Sequence, residues 1–312
     1  MKNLFSLVCL VVLLGVSVNV MGQGGTGIAP QVGTTHPYSV TPNGSNTFSW
    51  DVTTDFQGAL SVKTNAPTSG TVATLSALDG ASITITWVNP IVGTTYFVHI
   101  IETADGTTCV NRKALAVKPV NAFVLTVASV TLTDADDQGD AYKICPPIVT
   151  VSSFPGTAGT TLADAQNFVY DYDASVIYYK ITASGINTTL TGWSPQFTIG
   201  HTQTSGASVT AGWSTSVGGT YTSLTNLNGS TANDIIVPAN NPSIWVKVTI
   251  DNGTSTAGLE GTADQVATLT LLNAVNTSED ANGNDVTALT VPTRVQTVNA
   301  RPATTPITTT EP

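Results

Sequence analysis

Apolar and polar residues alternate with a period of two along much of this chain, most clearly over residues 93–120. Tyr96, Val98 and Ile100 fall on one side of an extended segment, and Phe97, His99 and Ile101 fall on the other. Asp105-Gly106 then offers a turn, and Ala114–Val120 carries a second extended run back. Alternation on both sides of an Asp-Gly pair predicts an antiparallel hairpin, because the pair accepts the positive φ angles of a tight turn. Upstream, the same period predicts strands around Tyr38–Val40, Thr47–Val52, Leu60–Val62 and Ser82–Val88. Phe48, Trp50 and Val52 share one face, as do Ile83, Ile85 and Trp87. Pro42-Asn43-Gly44, Asn65–Gly70 and Asn89-Pro90 punctuate them. Short strands at this rhythm predict a sandwich of about seven strands, with Trp50 as its core tryptophan.

After Asn121 the pattern continues for longer than one such unit. Strands are predicted at 123–132, 148–151, 176–182, 192–199, 208–214 and 243–251, with a loop or one short helical turn around Leu162–Ala165. Ile177, Tyr179 and Ile181 face one way, with Val176, Tyr178 and Lys180 opposite. In 243–251, Ile244, Val246, Val248 and Ile250 share a face opposite Trp245 and Lys247. The segment IWVKVTIDNGT reads as a diverged copy of YFVHIIETADGT. Residues 265–275 and 286–298 flank SEDANGND, which predicts a further hairpin.

Composition supports a folded β-protein. Of 312 residues, 41% are hydrophobic, so a packed core is feasible, and 10% are charged. The net charge of −10 leaves no basic footprint for phosphate backbones, so no nucleic-acid partner is expected. Residues 1–22 carry Lys2, the apolar run Leu7–Val16 and small or polar residues before Gln23, the pattern of a cleaved secretory signal peptide. The expected location is extracellular, at the cell surface, and no later apolar run is long enough to span a membrane. Gln23–Thr35 is Gly-rich and reads as a flexible leader, and Arg301–Pro312 as an extended, mobile Thr/Pro tail. Cys109 and Cys145 remain after cleavage; they either pair in the oxidising compartment or stay as separate, mostly buried thiols.

The succession NTFSWDV, GASITITWV and GTTYFVHIIETADGTTCVNRKALAVKPV resembles the PKD-like, immunoglobulin-like modules of secreted bacterial proteins. Those modules show a W-x-V strand, a later I-x-I-x-W strand and a G-x-x-x-x-V hairpin with a cysteine after its turn. The resemblance covers roughly residues 37–120. It is similar in particular to repeats of bacteria that use type IX secretion and display large surface adhesins. TVPTRVQTVNARPATTPI also resembles the ends of such repeats, although no secretion-sorting domain is seen after it. The resemblance implies a spacer, adhesive or structural module. The expected fold is all-β: tandem immunoglobulin-like β-sandwiches at 36–120 and 121–300, the second enlarged.

Candidate chemistry is sparse. Asp134, Asp136, Asp137 and Asp140 place oxygen ligands at close spacing around Gly139, as Ca²⁺ prefers. The EF-hand pattern fails at Gln138 and Cys145, and a solvated acidic loop is the plainer reading. Glu279, Asp280, Asn282, Asn284 and Asp285 form a weaker candidate for which an Asn-Gly turn suffices. His36, His99 and His201 are scattered without metal spacing, and no nucleophile elbow or phosphate loop occurs. His99 reads as a half-buried strand residue. Trp193, Trp213 and Trp245, with Tyr221, are candidates for a sugar-stacking platform; large core anchors are the alternative. Trp245 stands out because its face also carries Lys247 and Thr249. The expectation is therefore a non-catalytic structural or adhesive protein with no cofactor beyond the Ca²⁺ candidate. Its expected partners are proteins, or copies of itself, meeting at edge strands. A carbohydrate-binding module is the alternative.

Overall fold

The computed structural model describes residues 25–42, 44–58, 72–133, 136–140, 142–155, 161–202, 207–255, 263–275, 277–302 and 307–308. The predicted signal peptide and the strand around Leu60 and Val62 lie outside these residues. The protein is all-β, and its chain divides into two compact units, residues 1–122 and 123–312.

Unit 1 runs through β1 (Gly25–Thr26), β2 (Ala29–Pro30), β3 (Thr35–Ser39), β4 (Thr47–Thr53), β5 (Thr74–Leu75), β6 (Ser82–Thr86), β7 (Tyr96–Thr103) and β8 (Val110–Val117). Two three-stranded sheets form, in the orders β3-β6-β5 and β4-β7-β8. The hairpin predicted around Asp105-Gly106 is present: β7 and β8 pair antiparallel from Tyr96↔Val117 to Thr103↔Val110, and Gly106 takes φ +67°. In β4 and β6 the buried face is the one that alternation marks, with Trp50 and Val52 and with Ile83 and Ile85; for β7 and β8 the structure decides between two faces. Tyr96, Val98 and Ile100 from one sheet enclose a core with Ile83, Ile85 and Leu75 from the other, and Trp50 and Trp87 fill it. Both indoles are satisfied, since Trp87 Nε1 donates to the Tyr38 hydroxyl at 3.1 Å and Trp50 Nε1 to the Gly80 carbonyl at 2.8 Å.

The leader departs from expectation. Val32 is buried, and the amides of Lys118 and Val120 donate to the carbonyls of Ile28 and Pro30. Gln31 makes a parallel bridge to Val120, and the Tyr38 hydroxyl donates to the Gly27 carbonyl. Glycine content suggested flexibility, but Gly25 opens β1 opposite Pro30 at φ +81°, where a Cβ would sit 2.1 Å from the Ala29 carbonyl oxygen.

Unit 2 comprises β9 (Val124–Val130), β10 (Lys143–Ile144), β11 (Thr150–Ser153), α1 (Leu162–Ala165), β12 (Val169–Asp171), β13 (Ala174–Ser184), β14 (Trp193–Ser194), β15 (Gln196–Thr202) and β16 (Ser208–Ser214). It continues with β17 (Thr222–Leu224), β18 (Asn233–Asp234), β19 (Ser243–Asp251), β20 (Thr254–Ser255), β21 (Gln265–Leu271), β22 (Glu279–Asp280), β23 (Ala288–Val291) and β24 (Thr293–Val298). A six-stranded sheet, β17-β16-β19-β13-β9-β23, shares its core with a five-stranded sheet, β10-β24-β21-β15-β18. Tyr179 of the first sheet donates its hydroxyl to the Ala267 carbonyl of the second at 2.7 Å, a buried bond that ties the layers. α1 forms where the short helical turn was predicted, with the Thr161 hydroxyl accepting from the Asp164 amide.

Three predicted continuities break. Residues 192–199 split into β14 and β15 around Pro195, and 286–298 split into β23 and β24 around Pro292, because proline supplies no N–H to the ladder. β23 joins β9 in the six-stranded sheet while β24 joins β21 in the other, so SEDANGND closes no simple hairpin. β19 likewise does not repeat the hairpin of unit 1. It lies between β13 and β16, and after Asn252-Gly253 the chain passes into β20, which pairs with β12 in a separate three-stranded sheet. The C-terminal segment, expected to be loose, is held at two points. Arg301 donates to the carbonyls of Pro147 and Tyr172, and Gln166 Nε2 donates to the Ile307 carbonyl. Cys109 and Cys145 are both exposed and unbridged, not buried thiols.

Candidate functional site

The acidic turn after β9 is organised by an arginine that the sequence did not single out. Arg294, on β24, donates from Nε to both carboxylate oxygens of Asp137 at 3.1 Å, and from Nη2 to Oδ2. Its Nη1 lies 3.7 Å from Asp140 Oδ1, which also accepts the Val295 amide. The amides of Ser129 and Gly139 donate to Asp137 as well. Burial alone would raise the Asp137 carboxyl, but the Arg294 bonds and these two amides together outweigh it and hold the group below the usual carboxylate range. The guanidinium thus stands between two of the four carboxylates proposed for Ca²⁺. Asp136 is exposed and Asp134 lies outside the described residues. Among the described residues no three His, Cys, Asp or Glu side chains come together as a metal site. In the second acidic turn, Asp280 is buried and its carboxylate accepts the amides of Asn282 and Asn284 and the Asn284 side chain. Gly283 at φ +75° completes an Asn-Gly turn.

The three tryptophans do not share a surface. Trp193 is 1% exposed inside the core of unit 2, with Nε1 donating to the Asn241 carbonyl, so it takes no part in an exposed platform. Trp213 pairs with Val246, whose side chain is inward, and therefore points to the core side of the six-stranded sheet, where it packs partly buried. Trp245 points to the other side. There it meets Lys180, its direct cross-strand partner, whose Nζ lies 5.6 Å from the indole centroid. Two residues along, Lys247 faces Tyr178 across the same strand pair, and its Nζ lies 4.7 Å from the Tyr221 ring. Tyr178 and Tyr221 are 6.5 Å apart and tilted by 56°. Burial, followed by the neighbouring Tyr178, pushes the Tyr221 phenol up to about 12. Tyr178 and Lys180 could be assigned to the outer face from alternation alone, but only the register places them opposite Lys247 and Trp245.

The histidines serve as local structure. His36 is buried with Nε2 against the Thr34 hydroxyl. His99 is 2% exposed, not half-buried, because residues 55–57 fold over its face of the sheet; Nε2 contacts the Thr53 hydroxyl and the Asp55 carbonyl. His201 borders a wide, shallow depression of about 500 Å³ with Val209, Thr225, Asn226 and Asn228, and no carboxylate of the described residues lines it.

A narrower groove of about 270 Å³ opens in unit 1 between β3 and β8, one edge strand from each sheet. Tyr38 and Val40 form one wall, Leu115 the other, and Trp50, Val98 and Ile100 the floor. Leu115 and Lys113 pair with Val98 and Ile100 and so face inward, yet they are exposed because no strand covers that side among the described residues. Among the described residues the end of this gap is closed where residues 28–31 pair with 118–120.

Among the described residues no helix is long and apolar enough to cross a membrane. Compared with the models of known protein families and with curated protein sequences, the chain matches none.

Proposed function

We propose that this protein is a secreted, non-catalytic structural or adhesive component of the bacterial cell surface that joins an extracellular assembly by strand addition. The groove between β3 and β8 carries this reading. Two strand edges flank it, with no further strand paired to either among the described residues, above an apolar floor of Trp50, Val98 and Ile100. An extended segment of a second copy satisfies both requirements at once: its backbone completes a ladder and alternate side chains enter the groove. An immunoglobulin-like assignment of unit 1 is supported by its two three-stranded sheets and by the parallel Gln31↔Val120 bridge. It is further supported by Tyr96 at the start of β7, whose hydroxyl accepts the Ile91 amide in the manner of a tyrosine corner. The enlarged second sandwich is proposed as a variant of that plan.

The test is electron microscopy and analytical ultracentrifugation of the purified mature protein beside Leu115→Lys and Val40→Asp variants. Both positions lie at the groove mouth, so the fold should survive, as judged by circular dichroism. Oligomers or filaments in the wild type that vanish in the variants are expected. A wild type that stays monomeric at high concentration sinks the proposal.

A further inference from the structure

We propose that the outer face of the six-stranded sheet in unit 2 binds an acidic polysaccharide, one bearing carboxylate or sulfate groups along a chain of sugar rings. Trp245 and Lys247 on β19 stand directly opposite Lys180 and Tyr178 on β13, so aromatic and cationic side chains alternate at the four corners of one patch. Tyr221 extends the patch sideways. It lies over Gly212, the partner of Lys247 on β16, and a Cβ there would come within 3.0 Å of the Tyr221 Cβ and 2.9 Å of the Thr222 carbonyl oxygen. The Tyr221 hydroxyl donates to the Val217 carbonyl, which pins the ring beside Lys247. The patch is therefore built before any ligand arrives.

Charge decides the ligand class. The chain carries −10 overall, yet neither lysine of this face has a carboxylate partner among the described residues. The other described cations of unit 2 are committed: Lys143 to Asp264, Arg294 to Asp137 and Asp140, and Arg301 to backbone carbonyls. Lys180 and Lys247 instead sit over rings, and both residues are partly exposed. Asp251, further along β19, is turned to the Gly253 amide. Two point charges among flat rings suit spaced carboxylates or sulfates on sugars, whose C–H faces stack on Trp245 and Tyr221. They do not suit the dense, closely spaced phosphates of nucleic acid, which call for many more cationic contacts than two. A neutral glycan would leave both lysines unused.

Affinity electrophoresis of the full mature chain through gels containing polygalacturonate or dextran tests this. Polygalacturonate is expected to retard the protein, less so as salt rises, and dextran is not. The double variant Lys180→Gln/Lys247→Gln and, separately, Trp245→Ala should weaken retardation by about tenfold, while Lys143→Gln leaves it unchanged. Leu115→Lys, which blocks the groove of unit 1, should also bind normally, so failure of strand addition and failure of this site are told apart. No retardation by polygalacturonate, equal retardation by dextran, or full binding by the double lysine variant overturns the proposal.

Discussion

Asp137 illustrates how one side chain changes meaning once its neighbours are known. As a sequence element it is an acidic-loop residue; in the fold it accepts from Arg294, Ser129 and Gly139. Its depressed folded-state value makes its stabilisation present above the unfolded carboxylate pKa, near ~3.9, and lost as pH falls through the lower folded value. Because the carboxylate is partly exposed, its contribution is discounted to about 0.5–1 kcal/mol. Asp137→Asn should therefore lower urea stability by about that much at pH 7, and the difference from wild type should close once the solution is acidic enough to protonate the native carboxyl. A gap that persists undiminished there would mean that Arg294 is not the reason.

Elements depend on backbone partners more than on local composition. The leader contains Gly25, Gly27 and Gly33, yet it is ordered against residues 118–120 because its carbonyls accept the Lys118 and Val120 N–H groups just beyond β8. Gly25→Ala should cost about 1–3 kcal/mol, since both the positive φ and the Ala29 carbonyl oppose a side chain. Hydrogen exchange at the Lys118 and Val120 amides should accelerate in that variant, and unchanged protection would show that the leader holds without the close β1–β2 pairing at Gly25. Pro195 and Pro292 act at the same scale. Each ends a ladder that the alternation alone would have continued, and Pro292 also lets the chain change sheets.

At the level of the molecule there are two cores with no residue in common, one around Trp50 and Trp87 and one around Trp193, Phe197 and Tyr179. Trp193→Ala should destabilise unit 2 by about 3–5 kcal/mol through cavity formation and an abandoned Asn241 carbonyl. The transition of unit 1, followed through a protein lacking the other tryptophan signal or by exchange at the Ile83 and Ile85 amides, should stay where it is. Coincident shifts of both units would show that they unfold as one. The two proposed contact surfaces also separate this way, the groove in unit 1 and the lysine-aromatic face in unit 2, and each can be removed by substitution without touching the other.

Period-two alternation by itself determined that the chain is all-β and which side chains of 47–53, 82–86, 96–103, 174–184 and 243–251 share a face, because a pleated strand gives every second residue the same face. It also placed the Asp105-Gly106 hairpin and the short turn at Leu162, where turn and cap chemistry are local. What it could not contain is which strands lie side by side. Register is a relation between distant segments, and only that relation sets Lys180 against Trp245, turns Trp213 inward, brings Arg294 to Asp137 across 157 positions, and leaves Leu115 facing an uncovered groove.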